Sequence, residues 1–208
     1  MRSLLSVPKL YDLAQFVMRG TKYRSRLTSQ FIRASSGSRI LDIGCGTGTI
    51  LDSLPEVEYV GLDMSAAYVA AARKRYGTKE NGAPRHRSQC AFHCLELTDK
   101  TVDPLGKFDI VLAMGVVHHL DDASAMNLFA YSRQALREGG RMLTLDGVYT
   151  ENQSRIVKSL LRADRGKFVR EESAYRSLCS GSFTSVQTTI AHDLFRIPYT
   201  CLIMECFA

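Results

Sequence analysis

The chain has 208 residues, of which 45% are apolar and 23% are charged, and its formal net charge is +6. This length suits one domain, or one domain with a small appendage, and the composition excludes intrinsic disorder and collagen-like repeats. No apolar run reaches the roughly 20 residues that a membrane-spanning helix needs, and the N-terminal apolar stretch is too short for a secretory signal. We therefore expect a soluble, cytoplasmic protein without a membrane span.

Six cysteines are scattered along the chain, and no two of them form a Cys-x-x-Cys pair. Without a secretory signal they are expected to be reduced thiols. Cys90, His93 and Cys94 superficially resemble metal ligands, but strand alternation separates their side chains and no fourth ligand is fixed. We expect no metal site.

The predicted elements follow in chain order. Residues 1–38 contain two helical stretches, and from residue 39 strands and helices alternate, with a loop predicted through Asp103 and Pro104. Two β-rich runs near the C-terminus predict a hairpin. The alternation predicts an α/β fold, a parallel sheet with helices on both faces and an antiparallel end. The predicted strands are 39–43, 58–62, 91–95, 108–114, 141–146, 184–192 and 198–207, and the predicted helices are 9–19, 22–34, 47–54, 65–76 and 121–136.

The most informative stretch is the glycine-rich turn in residues 40–49, Ile-Leu-Asp-Ile-Gly-Cys-Gly-Thr-Gly-Thr, where the first strand leads into a helix. Its glycines let the backbone pass close to a ligand, and the helix N-terminus supplies N–H donors. A dinucleotide fingerprint requires glycine at position 49, which is Thr49, and Asp42 would face two phosphates. The turn therefore favours a cationic or amine-bearing ligand over NAD.

Asp63 ends the second predicted strand, nineteen residues after Gly44. A carboxylate at this position can accept hydrogen bonds from both hydroxyls of a ribose. The alternative is a solvated aspartate at a strand end, and the upstream glycine turn favours the ribose.

Five blocks of sequence, taken together and in order, resemble class I S-adenosylmethionine (SAM)-dependent methyltransferases of the small-molecule type, similar to methyltransferase-11/25-like domains. The resemblance covers roughly residues 39–146. It implies a Rossmann-like seven-stranded sheet in the order 3-2-1-4-5-7-6, with strand 7 antiparallel and helices on both faces. We expect a SAM-binding methyltransferase domain over 39–208 and an N-terminal helical lid over 1–38. The five blocks are 40–48, 60–64, 108–114, 115–120 and 137–143.

The resemblance also implies which residues bind the cofactor, S-adenosyl-L-methionine. The glycine motif would line its methionine and ribose, Asp42 would orient the amino group, and Asp63 would bind the ribose. Met64 would pack on the adenine, and Glu96 would read the adenine amino group, with Asp99 as its competitor. The implied cofactor-binding residues are Asp42, Gly44, Cys45, Gly46, Gly48, Asp63, Met64, Glu96, Leu97 and Met114.

His118 and His119, just past the fourth strand, are the predicted catalytic residues. A base at this position could take the proton of a hydroxyl or ammonium acceptor. The alternative is that one histidine packs under the next helix and the other lines the cofactor without titrating.

The acceptor is expected to be a small molecule, because the chain leaves no room for a separate substrate domain. Residues 147–183 lie where such enzymes vary to recognise substrates, and basic residues there suggest an anionic acceptor. Acidic neighbours could instead neutralise these basic residues within the protein. The alternative activity is methylation of tRNA or protein, although no nucleic-acid-binding module is present. The basic residues are Arg162, Arg165, Lys167 and Arg170, and their acidic neighbours are Asp164, Glu171 and Glu172.

Overall fold

The structure is a computed structural model that describes residues 23–77, 86, 88–163 and 166–208. Its centre is a twisted sheet of long parallel strands. The strands are β1 (Arg39–Ile43), β2 (Glu58–Leu62), β3 (Gln89–His93), β4 (Phe108–Met114), β5 (Leu136–Tyr149), β6 (Arg170–Glu171), β7 (Ser185–Ala191) and β8 (Cys201–Phe207).

The strand order of the main sheet is β3-β2-β1-β4-β5-β8-β7. β8 runs antiparallel to both β5 and β7, and the other neighbouring strands run parallel. The two-residue β6 pairs separately with the end of β5, at Val148 and Tyr149. When β6 is left out of the count, the order is 3-2-1-4-5-7-6 with an antiparallel strand 7. The predicted fold class is therefore confirmed.

Helices cover both faces of the sheet, as predicted. Ser65 caps α1 and Asp121 caps α3, each by accepting a hydrogen bond from a backbone N–H of the first turn. The helices are α1 (Ala66–Tyr76), α2 (Asp99–Leu105), α3 (Asp122–Ala135), α4 (Arg155–Ala163) and α5 (Glu172–Cys179), with 3-10 turns at Thr49–Ser53 and Val117–His119.

Two apolar cores lie on opposite faces of the sheet. Adjacent residues of a strand point to opposite faces, so Leu41 joins the core under α2, α3 and α5, while Ile40 joins the core under α1. β4 is buried along nearly its whole length, which is why its sequence is continuously apolar rather than alternating.

Several local predictions were wrong: β5 is longer at both ends than the predicted 141–146, and β8 begins three residues later than predicted. β3 begins and ends two residues earlier than predicted, and the helix predicted over 47–54 is a 3-10 turn of five residues. Residues predicted as a loop around Pro104 form α2, which begins with a capping box between Thr98 and Thr101. Pro104 lies in the last turn and removes one backbone N–H there, and the helix closes through the Gly106 N–H, which donates to the Asp103 carbonyl.

The N-terminal segment packs against the sheet. Residues 23–26 are α-helical and continue into a π-helix, Leu27–Ile32, with Leu27 and Ile32 buried in the core shared with α1. The predicted helix 9–19 lies outside the described residues, so the lid over 1–38 stays a prediction. Among the described residues, no helix has the length and apolar content needed to cross a bilayer.

Candidate active site

The glycine-rich turn after β1 forms the floor of a site at the carboxyl ends of the parallel strands. Gly44, Gly46 and Gly48 have φ angles of 69°, 56° and 72°, in the left-handed region that other residues avoid. A Cβ at Gly44 would lie 2.7 Å from Cγ2 of Val116, and one at Gly48 would lie 2.9 Å from the Phe92 ring. The turn therefore has no room for side chains at Gly44 and Gly48, and its backbone there lies against Val116 and Phe92.

Asp63, at the end of β2, ties this turn to the start of α1. Its Oδ2 accepts a hydrogen bond of 2.8 Å from the backbone N–H of Gly46, and its Oδ1 accepts one of 2.8 Å from the N–H of Ser65. Each carboxylate oxygen has two lone pairs, so each can accept one further hydrogen bond. Asp63 is held in place and can still bind a ligand.

A cavity of about 260 Å³ opens beside Asp63, between the strand ends and the N-terminal half of α3. Its walls are mostly apolar, with a few polar groups, as is usual for small-molecule sites. Its lining residues are Ile43, Gly44, Leu62, Asp63, Met64, Leu95, Glu96, Leu97, Thr98, Val116, Leu120, Ser124, Asn127, Leu128 and Tyr131.

The structure brings five of the ten predicted cofactor-binding residues around this cavity: Gly44, Asp63, Met64, Glu96 and Leu97. Met64 is 75% exposed at the cavity mouth. Glu96, and not its competitor Asp99, lies on the wall.

The other five predicted residues, Asp42, Cys45, Gly46, Gly48 and Met114, are not on the cavity wall. Gly46 contributes through its bond to Asp63, and Met114 is half-buried at the end of β4. The Cys45 thiol packs against the Gly61 backbone, and burial raises its pKa far above the usual range. Cys45 is therefore an unreactive thiol beneath the turn.

Asp42 is buried in β1, with only 4% of its surface exposed. The hydroxyl of Tyr59, in β2, donates a hydrogen bond of 2.5 Å to its Oδ2. Burial, and then the Asp42 carboxylate, raise the pKa of Tyr59 well above its ordinary value. This tyrosine therefore stays protonated and supports the carboxylate from below the glycine turn.

The two predicted catalytic histidines differ sharply in environment. His118 is buried, and its Nδ1 lies 2.7 Å from Oδ1 of Asp146 in β5. The His118 backbone N–H donates to the same oxygen at 3.1 Å. His119 is exposed, and its ring centroid lies 4.2 Å from that of His118. An ionised carboxylate only accepts hydrogen bonds, so this contact favours a proton on Nδ1 of His118.

Sequence reasoning missed two groups of site residues. One is Asp146, 28 residues from His118, which only the pairing of β4 with β5 brings close. The other is a face of α3 on the cavity wall. Its residues are spaced i, i+3, i+4 and i+7, which is the signal of one helix face and could have indicated it. They are Ser124, Asn127, Leu128 and Tyr131.

No metal site is found in the part of the chain that the structure describes, where no three His, Cys, Asp or Glu side chains are grouped to hold an ion.

Comparison with known proteins first gives the class of fold. Human N-acetylserotonin methyltransferase, solved with SAM, superposes with a TM-score of 0.68 and 18% identity, covering 97% of this chain and 56% of that one. The N-methyltransferase NodS from Bradyrhizobium japonicum, solved with S-adenosylhomocysteine, gives a TM-score of 0.64 and 15% identity, over 89% and 85%. The fold is that of Rossmann-like methyltransferases.

Sequence comparison then gives the family. Residues 41–142 match the family described as methyltransferase domain. Ubiquinone biosynthesis O-methyltransferase from Bradyrhizobium sp. (strain ORS 278) is 34% identical over 110 residues, which are 52% of this chain and 39% of that protein. The chain thus spans well under half the length of this curated relative. Residues 41–142 therefore match a methyltransferase domain, and the fold is that of class I methyltransferases, as the sequence motifs predict.

The first prediction concerns the buried pair beneath the turn. Tyr59→Phe removes a hydrogen-bond donor from a buried carboxylate, so we expect the free energy of unfolding to fall by about 1–3 kcal/mol. Urea unfolding followed by circular dichroism measures this. The matched control is Tyr149→Phe, at the half-buried end of β5, for which we expect a change within about 0.5 kcal/mol. Equal losses in both variants would contradict the assignment.

Proposed function

We propose that the chain is a SAM-dependent methyltransferase that acts on a small molecule. The observation that carries this proposal is the single cavity around which Gly44, Asp63, Met64, Glu96 and Leu97 meet. These residues come from separate turns at the ends of three neighbouring parallel strands, which is where α/β folds bind their ligands.

The residues present fit the cofactor. Asp63 has free acceptor positions for two ribose hydroxyls, and the exposed Met64 side chain can cover an adenine ring. Glu96 can accept a hydrogen bond from the adenine amino group, and Leu97 offers an apolar wall. The glycine turn leaves its backbone bare for close approach, because side chains at Gly44 and Gly48 would collide with Val116 and Phe92.

Bound SAM supplies a methyl group that its sulfonium already activates. The chain itself has to orient the acceptor and keep water away from the reacting atoms. Val116 and Leu120, after β4, form apolar wall on the side of the cavity that leads to His118. This loop therefore separates the cofactor from solvent and carries the base.

We assign His118 as the general base for a hydroxyl acceptor. Its Nε2 takes the hydroxyl proton, and Asp146 holds the Nδ1 proton and stabilises the imidazolium that forms. His119 is exposed and contacts the ring of His118 in a tilted arrangement. The relatives with similar sequence are named as O-methyltransferases, which supports an oxygen acceptor.

We further propose that the acceptor is anionic. Arg170 is unavailable to it, because it pairs with Asp122, whereas Arg162 and Lys167 are exposed. Arg162 follows Leu161 and Lys167 follows Gly166, and these two neighbours lie close to the pair of His118 and Asp146. Leu161 lies against the Gly147 backbone, where a Cβ on that glycine would meet its Cδ2 at 2.7 Å, and Gly166 lies against the imidazole of His118. Positive charge near the His118 side of the site would favour an acceptor that carries a carboxylate or phosphate.

We also propose a cytoplasmic location. All six cysteines lie within the described residues and are free thiols, including the exposed Cys94. A reducing compartment maintains thiols in this form.

The cofactor proposal predicts that Asp63→Ala weakens SAM binding. Hydrogen bonds to a charged group contribute about 1.5–3 kcal/mol, so we expect an increase in Kd of roughly 10- to 100-fold. Calorimetric titration with SAM measures this, and titration with NAD should give no heat of binding. Asp103→Ala, at an exposed aspartate of α2, is the matched control and should keep the wild-type Kd. Binding of NAD by the wild-type protein would overturn the proposal.

The base assignment predicts that His118→Gln lowers kcat about 100- to 10,000-fold, the usual contribution of a general base. SAM affinity should stay within threefold, because His118 does not line the cavity. Methyl transfer from radiolabelled SAM to a panel of phenols measures the rate. His119→Gln is the control and should lose less than tenfold. If the two variants lose equal activity, His118 is not the base.

The charge proposal predicts that Arg162→Glu combined with Lys167→Glu raises KM for 3,4-dihydroxybenzoate at least tenfold while leaving KM for uncharged catechol within twofold. The difference should shrink as salt rises from 0.05 to 0.5 M, because salt screens exposed charges. An equal change for both acceptors would show that the two cations do not select the anion.

A further inference from the structure

A short segment after α4 contacts the loop that carries His118. We define the strap as residues 166–170 and the base loop as residues 116–120. The strap ends in β6, which pairs with the end of β5 at Val148 and Tyr149. Its Phe168 backbone N–H donates a hydrogen bond of 3.0 Å to the carbonyl of His118. One end of the strap is therefore fixed to the sheet and its middle is fixed to the base loop.

Arg170 makes most of the contacts between the strap and the base loop. Its Nη2 donates to the Leu120 carbonyl at 2.8 Å, and its Nη1 points toward the Val117 carbonyl at 3.4 Å. Nε and Nη2 both bond Oδ1 of Asp122, at 3.0 and 2.7 Å. The Arg170 side chain is only 10% exposed. These contacts span the carbonyls on either side of His118 and the first turn of α3.

The contacts of Arg170 depend on the planar shape of its guanidinium group. Nη1 also donates to the Phe168 carbonyl at 2.8 Å, and the guanidinium carbon lies 5.6 Å from the Phe168 ring centre and 5.7 Å from that of Tyr175. A lysine ammonium is a point charge on a flexible stem and cannot bond three carbonyls and a carboxylate in one plane. The site thus requires arginine for its geometry as well as for its charge.

Gly166 fixes the other side of His118. A Cβ at position 166 would lie 1.9 Å from Cδ2 and 3.0 Å from Nε2 of the imidazole. Because Asp146 holds Nδ1, the ring cannot turn away without breaking that bond. Glycine at position 166 therefore lets the strap backbone approach the edge of the ring.

The base loop has the cofactor cavity on one side and the strap on the other. Val116 and Leu120 line the cavity, while His118, between them, pairs with Asp146. A shift of the loop would therefore move the imidazole relative to the cavity.

We propose that Arg170 and Gly166 are positioning residues for the reaction: the strap holds the base loop so that His118 stays aligned with both Asp146 and the cofactor cavity. This inference rests on the proposed function, in which His118 is the base. It assigns to the segment after α4, in addition to any contact with the acceptor, a direct part in fixing the catalytic group.

The test is a double-mutant cycle with Arg170→Lys and His118→Gln in the full chain. We expect Arg170→Lys to lower kcat at least tenfold while the Kd for SAM stays within threefold. In the His118→Gln background the same change should lower kcat by less than threefold, because the group that it positions is gone. Arg176→Lys is the matched control, since Arg176 bonds Val186 and Thr188 away from the base loop, and it should leave kcat within twofold.

A second readout needs no activity. Long-range ¹H–¹⁵N spectra of the apo protein report the tautomer of each of the five histidines, and His118→Gln assigns the signal. We expect the Nδ1–H tautomer in the wild type, and a mixture of tautomers in Arg170→Lys and in Gly166→Ala. An unchanged His118 signal in both variants would overturn the positioning role, as would equal kcat losses in the two backgrounds.

The two proposals fail in different ways. If His118→Gln keeps wild-type kcat while the His118 tautomer responds to Arg170→Lys, the base assignment is wrong and the strap still fixes the imidazole. If His118→Gln lowers kcat as predicted but Arg170→Lys lowers kcat equally in both backgrounds with an unchanged tautomer, the strap proposal is wrong and the base assignment stands.

Discussion

The site depends first on the carboxylate of Asp63. Its two oxygens accept the N–H groups of Gly46 and Ser65, so one side chain joins the turn after β1 to the beginning of α1. The glycine turn has three left-handed residues in five positions and would otherwise be costly to keep in one conformation. Charge-assisted bonds to backbone N–H groups are the stronger kind of hydrogen bond, and here they fix the cavity floor before any ligand arrives.

The loop after β4 joins the cavity wall to the buried pair of His118 and Asp146. It is short, and its backbone is bonded on three sides: to β5 through Gly115, to Asp146 through His118, and to the strap through Leu120. Close-packed elements of this kind do not deform continuously, so the cavity wall and the imidazole move together or not at all. Apolar side chains of the cavity wall and the proposed base therefore lie within five consecutive residues, 116–120.

The sequence correctly predicted features that depend on residues close together along the chain. β1, β2 and β4 have the predicted bounds, because continuous apolar runs between turn residues mark buried parallel strands. The motif residues Gly44, Asp63, Met64, Glu96 and Leu97 meet in the cavity, because parallel strands bring their carboxyl ends to one edge.

The sequence did not predict contacts between residues that are far apart along the chain. Asp146 is one acidic residue in a buried strand, and only the register of β4 against β5 places it beside His118. Arg170 was expected either to meet an anionic acceptor or to pair with nearby acidic residues, whereas it pairs with Asp122, 48 residues away. Local pattern carries no information on such pairs, because any of several acidic residues would satisfy a cation equally well in an unfolded chain.

The Asp146 carboxylate is unfavourable for folding in one respect. One of its oxygens takes both bonds from His118, while the other is buried without a hydrogen-bond partner among the described residues. A buried polar atom left unsatisfied costs about 1–3 kcal/mol, so an apolar residue would suit this position better for folding alone. In the proposed reaction, the carboxylate acts when His118 takes a proton from the acceptor and a positive charge develops on the imidazole. The unsatisfied oxygen of Asp146 costs stability in the resting protein. Such a cost is expected of a group that is arranged to stabilise a charged state of its partner rather than the resting state.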